Sequence, residues 1–104
     1  MELKKGDFFK HFKGKTLEEK KICEVLETGV TYSGDNAAKP LENMVVYKNI
    51  FQGRIFVREM DDLLSELPIE KQQEFGQVHR VEKLTDEEKD LVLRRKNETN
   101  IVEC

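Results

Sequence analysis

The sequence predicts a mostly β domain, α+β overall: a small curved sheet or partly open barrel followed by one or two short C-terminal helices. Three stretches carry that prediction. Met44 to Leu64, MVVYKNIFQGRIFVREMDDLL, holds the densest apolar run of the chain and reads as two strands folded on a tight turn. Ile22 to Tyr32 has the length and patterning of a long strand, with Gly29 inside it as a bulge or sharp bend that lets a sheet coil. From Pro68 onward the chain turns to short, charged segments with helix start and stop signals.

Taken in order, the first strand spans Asp7 to Phe12, bounded by Gly6 and Gly14. Phe8, Lys10 and Phe12 alternate with Phe9 and His11, so both sides of this strand meet apolar neighbours and it belongs inside a sheet. His11 and Lys13 follow the face of Phe9. Thr16 to Lys21 is a charged turn or short helical piece, with Thr16 and Glu19 in capping-box spacing. The long strand follows, with Cys23 and Val25 on one side and Ile22 and Leu26 on the other. Ser33 to Asn43, SGDNAAKPLEN, has the Gly, Asn, Asp and Pro content of a surface loop.

In the central hairpin, Gly53 accepts the positive φ of a two-residue primed turn and Gln52 is its weaker partner. That turn predicts Phe51 opposite Arg54, Ile50 opposite Ile55, Asn49 opposite Phe56, Lys48 opposite Val57 and Tyr47 opposite Arg58. Cross-strand partners share a face. One face then carries Val46, Ile50, Ile55 and Val57, a plain core face. The other carries Val45, Tyr47, Phe51, Phe56 and Arg58, which is either a covered second layer or an exposed platform.

Beyond the hairpin, Met60, Leu63, Leu64 and Leu67 are spaced like a short helical turn. Pro68 to Phe75 reads as a brief helix stopped by Gly76, and Gln77 to Leu84 as a further strand. Thr85 to Glu88 is a capping box that opens a helix over Glu87 to Lys96, whose apolar stripe is only Leu91 and Val92 with Leu84 before it. Asn97 to Cys104 carries no persistent pattern and is expected to fray.

At 104 residues the chain has the size of one domain. Its hydrophobic and charged fractions are equal at 38%, at the polar end of globular composition. A net charge of −3 argues against a nucleic-acid binder driven by whole-molecule electrostatics. The charge is uneven: residues 1 to 21 carry seven lysines against four acids, while Glu59 to Glu74 sets six acids against one lysine. A local anion site at the N-terminal end fits that asymmetry, and so do two solvated faces. Two cysteines make no disulfide framework. MELKKGDFF lacks the apolar run of a secretion signal, and nowhere do about 18 apolar residues run together. The sequence therefore predicts a cytoplasmic protein with reduced thiols and no membrane partner.

Few residues suit chemistry. His11, Cys23, His79 and Cys104 are scattered without metal-ligand spacing, so neither a metal nor another cofactor is expected. Cys23, on a strand among apolar neighbours, reads as a small buried hydrophobe. Asp61 and Asp62 are adjacent and diverge in any regular structure, and no glycine-rich phosphate loop is present. What remains is Tyr47, Phe56 and Arg58, with His11 and Lys13 alongside if the first strand is a neighbour. Rings stack on bases and a guanidinium holds phosphate or carboxylate, which makes a small pocket for an anion and a ring. The alternative is that Tyr47 and Phe56 pack beneath C-terminal segments while Arg58 pairs with a nearby acid.

His11-Phe12-Lys13-Gly14, Val45-Val46-Tyr47, and Phe56-Val57-Arg58 with Met60 behind it resemble, in order and spacing, the bacterial domain-of-unknown-function family 1653. Members share an H-(F/Y)-K-G start, a VVY strand and a W-V-R-P segment leading to a Met-Phe pair. The resemblance spans residues 5 to 65. Phe56 stands for the family's tryptophan, Glu59 for its proline and Met60-Asp61 for its Met-Phe pair. It implies an SH3-like barrel and no established activity, and it divides the chain into a core over residues 1 to 67 and a helical extension over 68 to 104. Three functions follow as expectations. The first is a binding module for a nucleotide-like, nucleic-acid or peptide ligand, through His11, Lys13, Tyr47, Phe56 and Arg58. The others are a protein-interaction or self-assembly domain, and a small hydrolase using His11 as base.

Overall fold

The spine of the protein is β2 (Ile22–Tyr32), which carries a neighbour on each side along a five-stranded antiparallel sheet. A computed structural model describes residues 2–33 and 40–102, with 98–102 described as backbone only. β1 (Phe8–His11) lies on one flank of β2 and β3 (Leu41–Asn49) on the other, with β4 (Ile55–Glu59) beyond β3. Between β4 and the last strand come two short helices, α1 (Met60–Leu63) and α2 (Ile69–Phe75). The fifth strand, β5 (Val81–Lys83), returns beside β1, and α3 (Asp86–Val102) closes the chain. The order β4-β3-β2-β1-β5 is a four-strand meander whose fifth strand comes back to the first. The sheet stays open, with β4 and β5 as its two edges.

Phe8 and Phe9 explain why β1 sits inside the sheet. Phe9 belongs to a core cluster with Cys23, Val25, Val45 and Val81, onto which Leu3 and the α1 residues Met60 and Leu63 close. Phe8 packs against a second cluster, Ile22, Ile50 and the α3 residue Val92. One sheet face is thus covered by α1 and the N-terminal segment, and the other by α3. In β2 the ladder slips three times, between Val25 and Glu27, between Glu27 and Val30, and between Val30 and Tyr32; the second spans Gly29, so the expected irregularity is present.

The hairpin register departs from the expected one. The ladder pairs Val45 with Arg58, Val46 with Val57, Tyr47 with Phe56 and Lys48 with Ile55. Instead of two residues, the connection spans 50 to 54, closed by the Asn49 N–H donating to the Arg54 carbonyl and the Gly53 N–H to the Asn49 carbonyl. The Asn49 Oδ1 accepts from the N–H groups of Phe51 (3.0 Å) and Gln52 (3.1 Å). A primed two-residue turn needs positive φ at two residues or a leading glycine, and here only Gly53 has it, at 73°. Asn49 therefore caps a wider loop. Because the slip is two residues, the side-chain faces survive it.

Which face is covered also departs from expectation. Ile55 is 61% and Val57 52% exposed, whereas Val45 is fully buried and Tyr47 and Phe56 are half-buried. Among the expected core residues of the first face, Ile50 alone is buried, because α3 reaches only the Ile22–Ile50 end of the sheet.

Residues 34–39 of the expected loop lie outside the described residues, and Leu41 to Asn43 belong to β3, not to the loop. β5 is shorter than expected. α3 begins on the Thr85–Glu88 capping box, with the Glu88 N–H donating to Thr85 Oγ1 (3.1 Å) and the Thr85 N–H to Glu88 Oε1 (3.0 Å). It runs on through Val102, beyond the expected end at Lys96. Lys10 Nζ, 2.7 Å from Glu88 Oε2, ties this helix to β1. Burial alone would raise the Glu88 carboxyl, but Lys10 and the Thr85 hydrogen bonds hold it below its ordinary range. Cys104 lies outside the described residues.

Candidate functional site

The aromatic sheet face is built by register. Tyr47 and Phe56 are directly paired across β3 and β4, and their rings stack at 5.5 Å with 22° between planes. Val25 pairs with Tyr47 from the other side, and Phe9 meets the tyrosine edge-on at 5.2 Å. Arg54 lies 5.6 Å from the Phe56 centroid. Burial pushes the Tyr47 phenol up, so it stays protonated in neutral solution.

His11 ends β1 on the same face. Its N–H donates to the Lys21 carbonyl at 2.9 Å, which brings Lys21 beside it. Lys13 sits two residues beyond, held by a tight connection in which the Lys15 N–H donates to Glu19 Oε2 (3.0 Å) and the Glu19 N–H to the Thr16 carbonyl (3.1 Å). This is the expected charged turn, although the Glu19 carboxylate caps Lys15 and not Thr16. Arg58 comes from β4, with its Nε 3.3 Å from Asp62 Oδ2 one helical turn on.

A cavity of about 240 Å³ results, lined by Phe9, His11, Lys13, Lys21, Cys23, Tyr47, Asn49, Phe56, Arg58 and Arg80. The structure therefore brings together all five residues singled out in the sequence: His11, Lys13, Tyr47, Phe56 and Arg58. Two cations, Lys21 and Arg80, join them without having been anticipated. For Lys21 the usable signal was strand register, which puts it opposite His11. Arg80 lies in the segment read as a further strand, but nothing local said that this strand would return beside β1.

Arg80 is placed by a buried polar clamp. Lys20, 9% exposed, donates from Nζ to the carbonyls of Phe12 (3.1 Å) and Phe75 (3.3 Å) and to Gln77 Oε1 (3.1 Å). Gln77 Nε2 in turn donates to the carbonyls of His79 (3.0 Å) and Arg80 (3.3 Å). The 75–80 segment is thereby fixed against the end of β1. The Arg80 guanidinium sits 5.9 Å from the Phe12 ring, and its Nε is buried with no hydrogen-bond partner among the described residues.

Among the described residues no acidic side chain lines the cavity. The consequence is read by His11, whose pKa is lowered to about 4 by burial and then by the charges of Lys13, Arg80, Lys21 and Arg58. At neutral pH the imidazole is uncharged, one nitrogen accepting and the other donating. Its Nδ1 is 3.5 Å from the Lys13 N–H, which favours the proton on Nε2. Cys23, on the cavity floor, is a free thiol pushed up to about 11 by burial, against a smaller opposing pull from Lys21.

Such a site offers ring faces, a neutral imidazole and clustered cations to a ligand with a planar ring and negative charge. α3 does not cover it, since that helix packs on the opposite sheet face. Among the described residues no group of three or more His, Cys, Asp or Glu side chains converges as a metal would require. Among them, too, no helix is long and apolar enough to cross a membrane. Comparison with known proteins finds no matching family model, no matching curated protein and no matching solved structure.

Proposed function

We propose that this protein is a non-catalytic binding module, which holds a nucleotide-like ligand on the aromatic and basic face of its sheet. The observation that carries the reading is the convergence of His11, Lys13, Tyr47, Phe56 and Arg58, with Lys21 and Arg80, on one cavity that no acidic side chain lines among the described residues. Stacking on an aromatic side chain contributes roughly 1–3 kcal/mol per base, and a guanidinium or ammonium supplies the charge-assisted hydrogen bonds that orient an anion. Nucleic acid is a weaker candidate, given the net charge of −3. Titration of labelled protein with nucleotides and short oligonucleotides, followed by amide shifts, is expected to perturb these five residues. Shifts absent from all of them would remove the reading.

A hydrolase using His11 is less well supported. An imidazole that protonates only near 4 is a weak base, and a thiol held near 11 supplies no nucleophile at neutral pH. Self-assembly is favoured by a different observation: β4 is an edge strand that exposes Ile55 and Val57. Light scattering over a dilution series separates the two, since a monomer at every concentration excludes it. Membership of domain-of-unknown-function family 1653, and with it an SH3-like ancestry and a bacterial source, belongs to the same proposal and rests on the order of its three motifs. A cytoplasmic setting is supported by the sparse cysteines and the free, buried Cys23.

A further inference from the structure

Three cations of the cavity are uncommitted. Ion pairs among the described residues engage Lys5, Lys10, Arg58 and Lys83, which leaves Lys13, Lys21 and Arg80 without a carboxylate partner. Arg58, the fourth, is shared with Asp62. The surplus is larger than one negative charge would balance. A phosphodiester carries a single charge, whereas a terminal phosphomonoester carries about −1.5 to −2 at neutral pH and three acceptor oxygens.

Three further observations bear on which phosphate fits. Arg80 Nε is a buried donor without a hydrogen-bond partner among the described residues, and an unmade bond of this kind costs free energy. A guanidinium fork matches the oxygens of a phosphate in bidentate fashion. Beyond Arg58 the surface changes sign: the adjoining depression is lined by Met44, Arg58, Glu59 and Asp62. A strand continuing in that direction would bring its next phosphate against Glu59 and Asp62. At about 240 Å³, the cavity is also below the ~300–1,000 Å³ of sites for drug-sized ligands, so one nucleotide unit fills it.

We infer that the ligand of this site is a nucleoside monophosphate, its base against Tyr47 and Phe56 and its terminal phosphate held by Arg80, Lys13 and Lys21. The inference rests on the binding reading above and narrows it to a dianionic phosphate at a chain end. It is tested by calorimetric or amide-shift titration of the intact chain with the four common nucleoside 5′-monophosphates, their nucleosides, the 3′,5′-cyclic monophosphates and inorganic phosphate. A monophosphate is expected to bind at least about tenfold more tightly than its cyclic counterpart, which keeps the ring and loses one charge. Arg80→Gln is expected to abolish that preference while leaving nucleoside binding in place. Its fold should persist, because Arg80 is anchored by main-chain bonds to Ser65 and Phe12. Lys13→Gln, on the exposed rim, is the second variant and should weaken monophosphate binding in the same direction.

Equal affinity for open and cyclic monophosphates overturns the inference and leaves the ring-and-anion site standing. Inorganic phosphate binding as tightly as any monophosphate removes the role of the rings, and with it the parent reading. Absence of binding by every probe removes both.

Discussion

At the scale of single residues, His11 is the most informative group in the molecule. Its folded-state pKa lies near 4, below the ordinary 6.5, so protonation works against folding. Well above pH 6.5 the imidazole is neutral in both states and contributes nothing to the pH dependence. As pH falls from 6.5 to about 4 the unfolded chain takes up a proton that the folded chain refuses, and stability declines across that window. After allowance for solvent screening at a half-buried group, the loss is about 1–2 kcal/mol. His11→Gln should lose less stability than the parent protein over the same window in urea denaturation. Parallel profiles for the two would show that the imidazole is not desolvated as described. The carboxylates Asp7 and Glu88 titrate in both proteins and cancel in that comparison.

At the scale of an element, the connection from β1 to β2 decides whether the site exists. Gly14 has φ of +110°, and a Cβ there would stand 2.8 Å from the Glu19 carbonyl carbon and 2.9 Å from its oxygen. These are main-chain atoms that cannot swing aside. Gly14→Ala combines that overlap with a left-handed backbone and should cost on the order of 2–4 kcal/mol. A thermal midpoint within a degree or two of the parent would contradict this account of the turn. The same turn sets Lys13 and Lys21 on the cavity rim, so the variant should also weaken ligand binding. The β3–β4 loop teaches a complementary lesson. Asn49 reads in the sequence as one more strand residue, yet its side-chain oxygen caps two N–H groups and widens the turn.

At the scale of the whole molecule, the segments beyond residue 67 do more than cover the sheet. β5 adds a strand beside β1, α3 closes one face through Val92, and Lys20 binds the 75–80 segment to the end of β1. Burial, and then the nearby Lys10, lower the Lys20 pKa; three neutral oxygens receive its ammonium. Lys20→Met keeps the length but strips those acceptors of their donor, and should destabilise by about 2–4 kcal/mol in urea denaturation. A change under about 0.5 kcal/mol would mean that water replaces the ammonium at little cost. Most strands, the start of α3 and the membership of both hairpin faces were legible in the sequence, because alternation, capping spacing and turn glycines act over a few residues. Four of the five candidate residues, His11, Tyr47, Phe56 and Arg58, could be placed for the same reason, since each is a polar or stacking type on a strand pattern, whereas Lys13 lies just past the end of β1. Alternation has period two, so it sorted Tyr47, Phe56 and Arg58 to one side even with the register two residues out. It carries no sign, however, and local pattern cannot say which side of a sheet a distant helix will cover. Only the folded chain decided that α3 takes the face away from the rings, that Val57 and Ile55 remain in solvent, and that Arg80 arrives beside His11. Those outcomes depend on contacts between residues far apart in the chain, whose free energy is set by packing and not by any local preference.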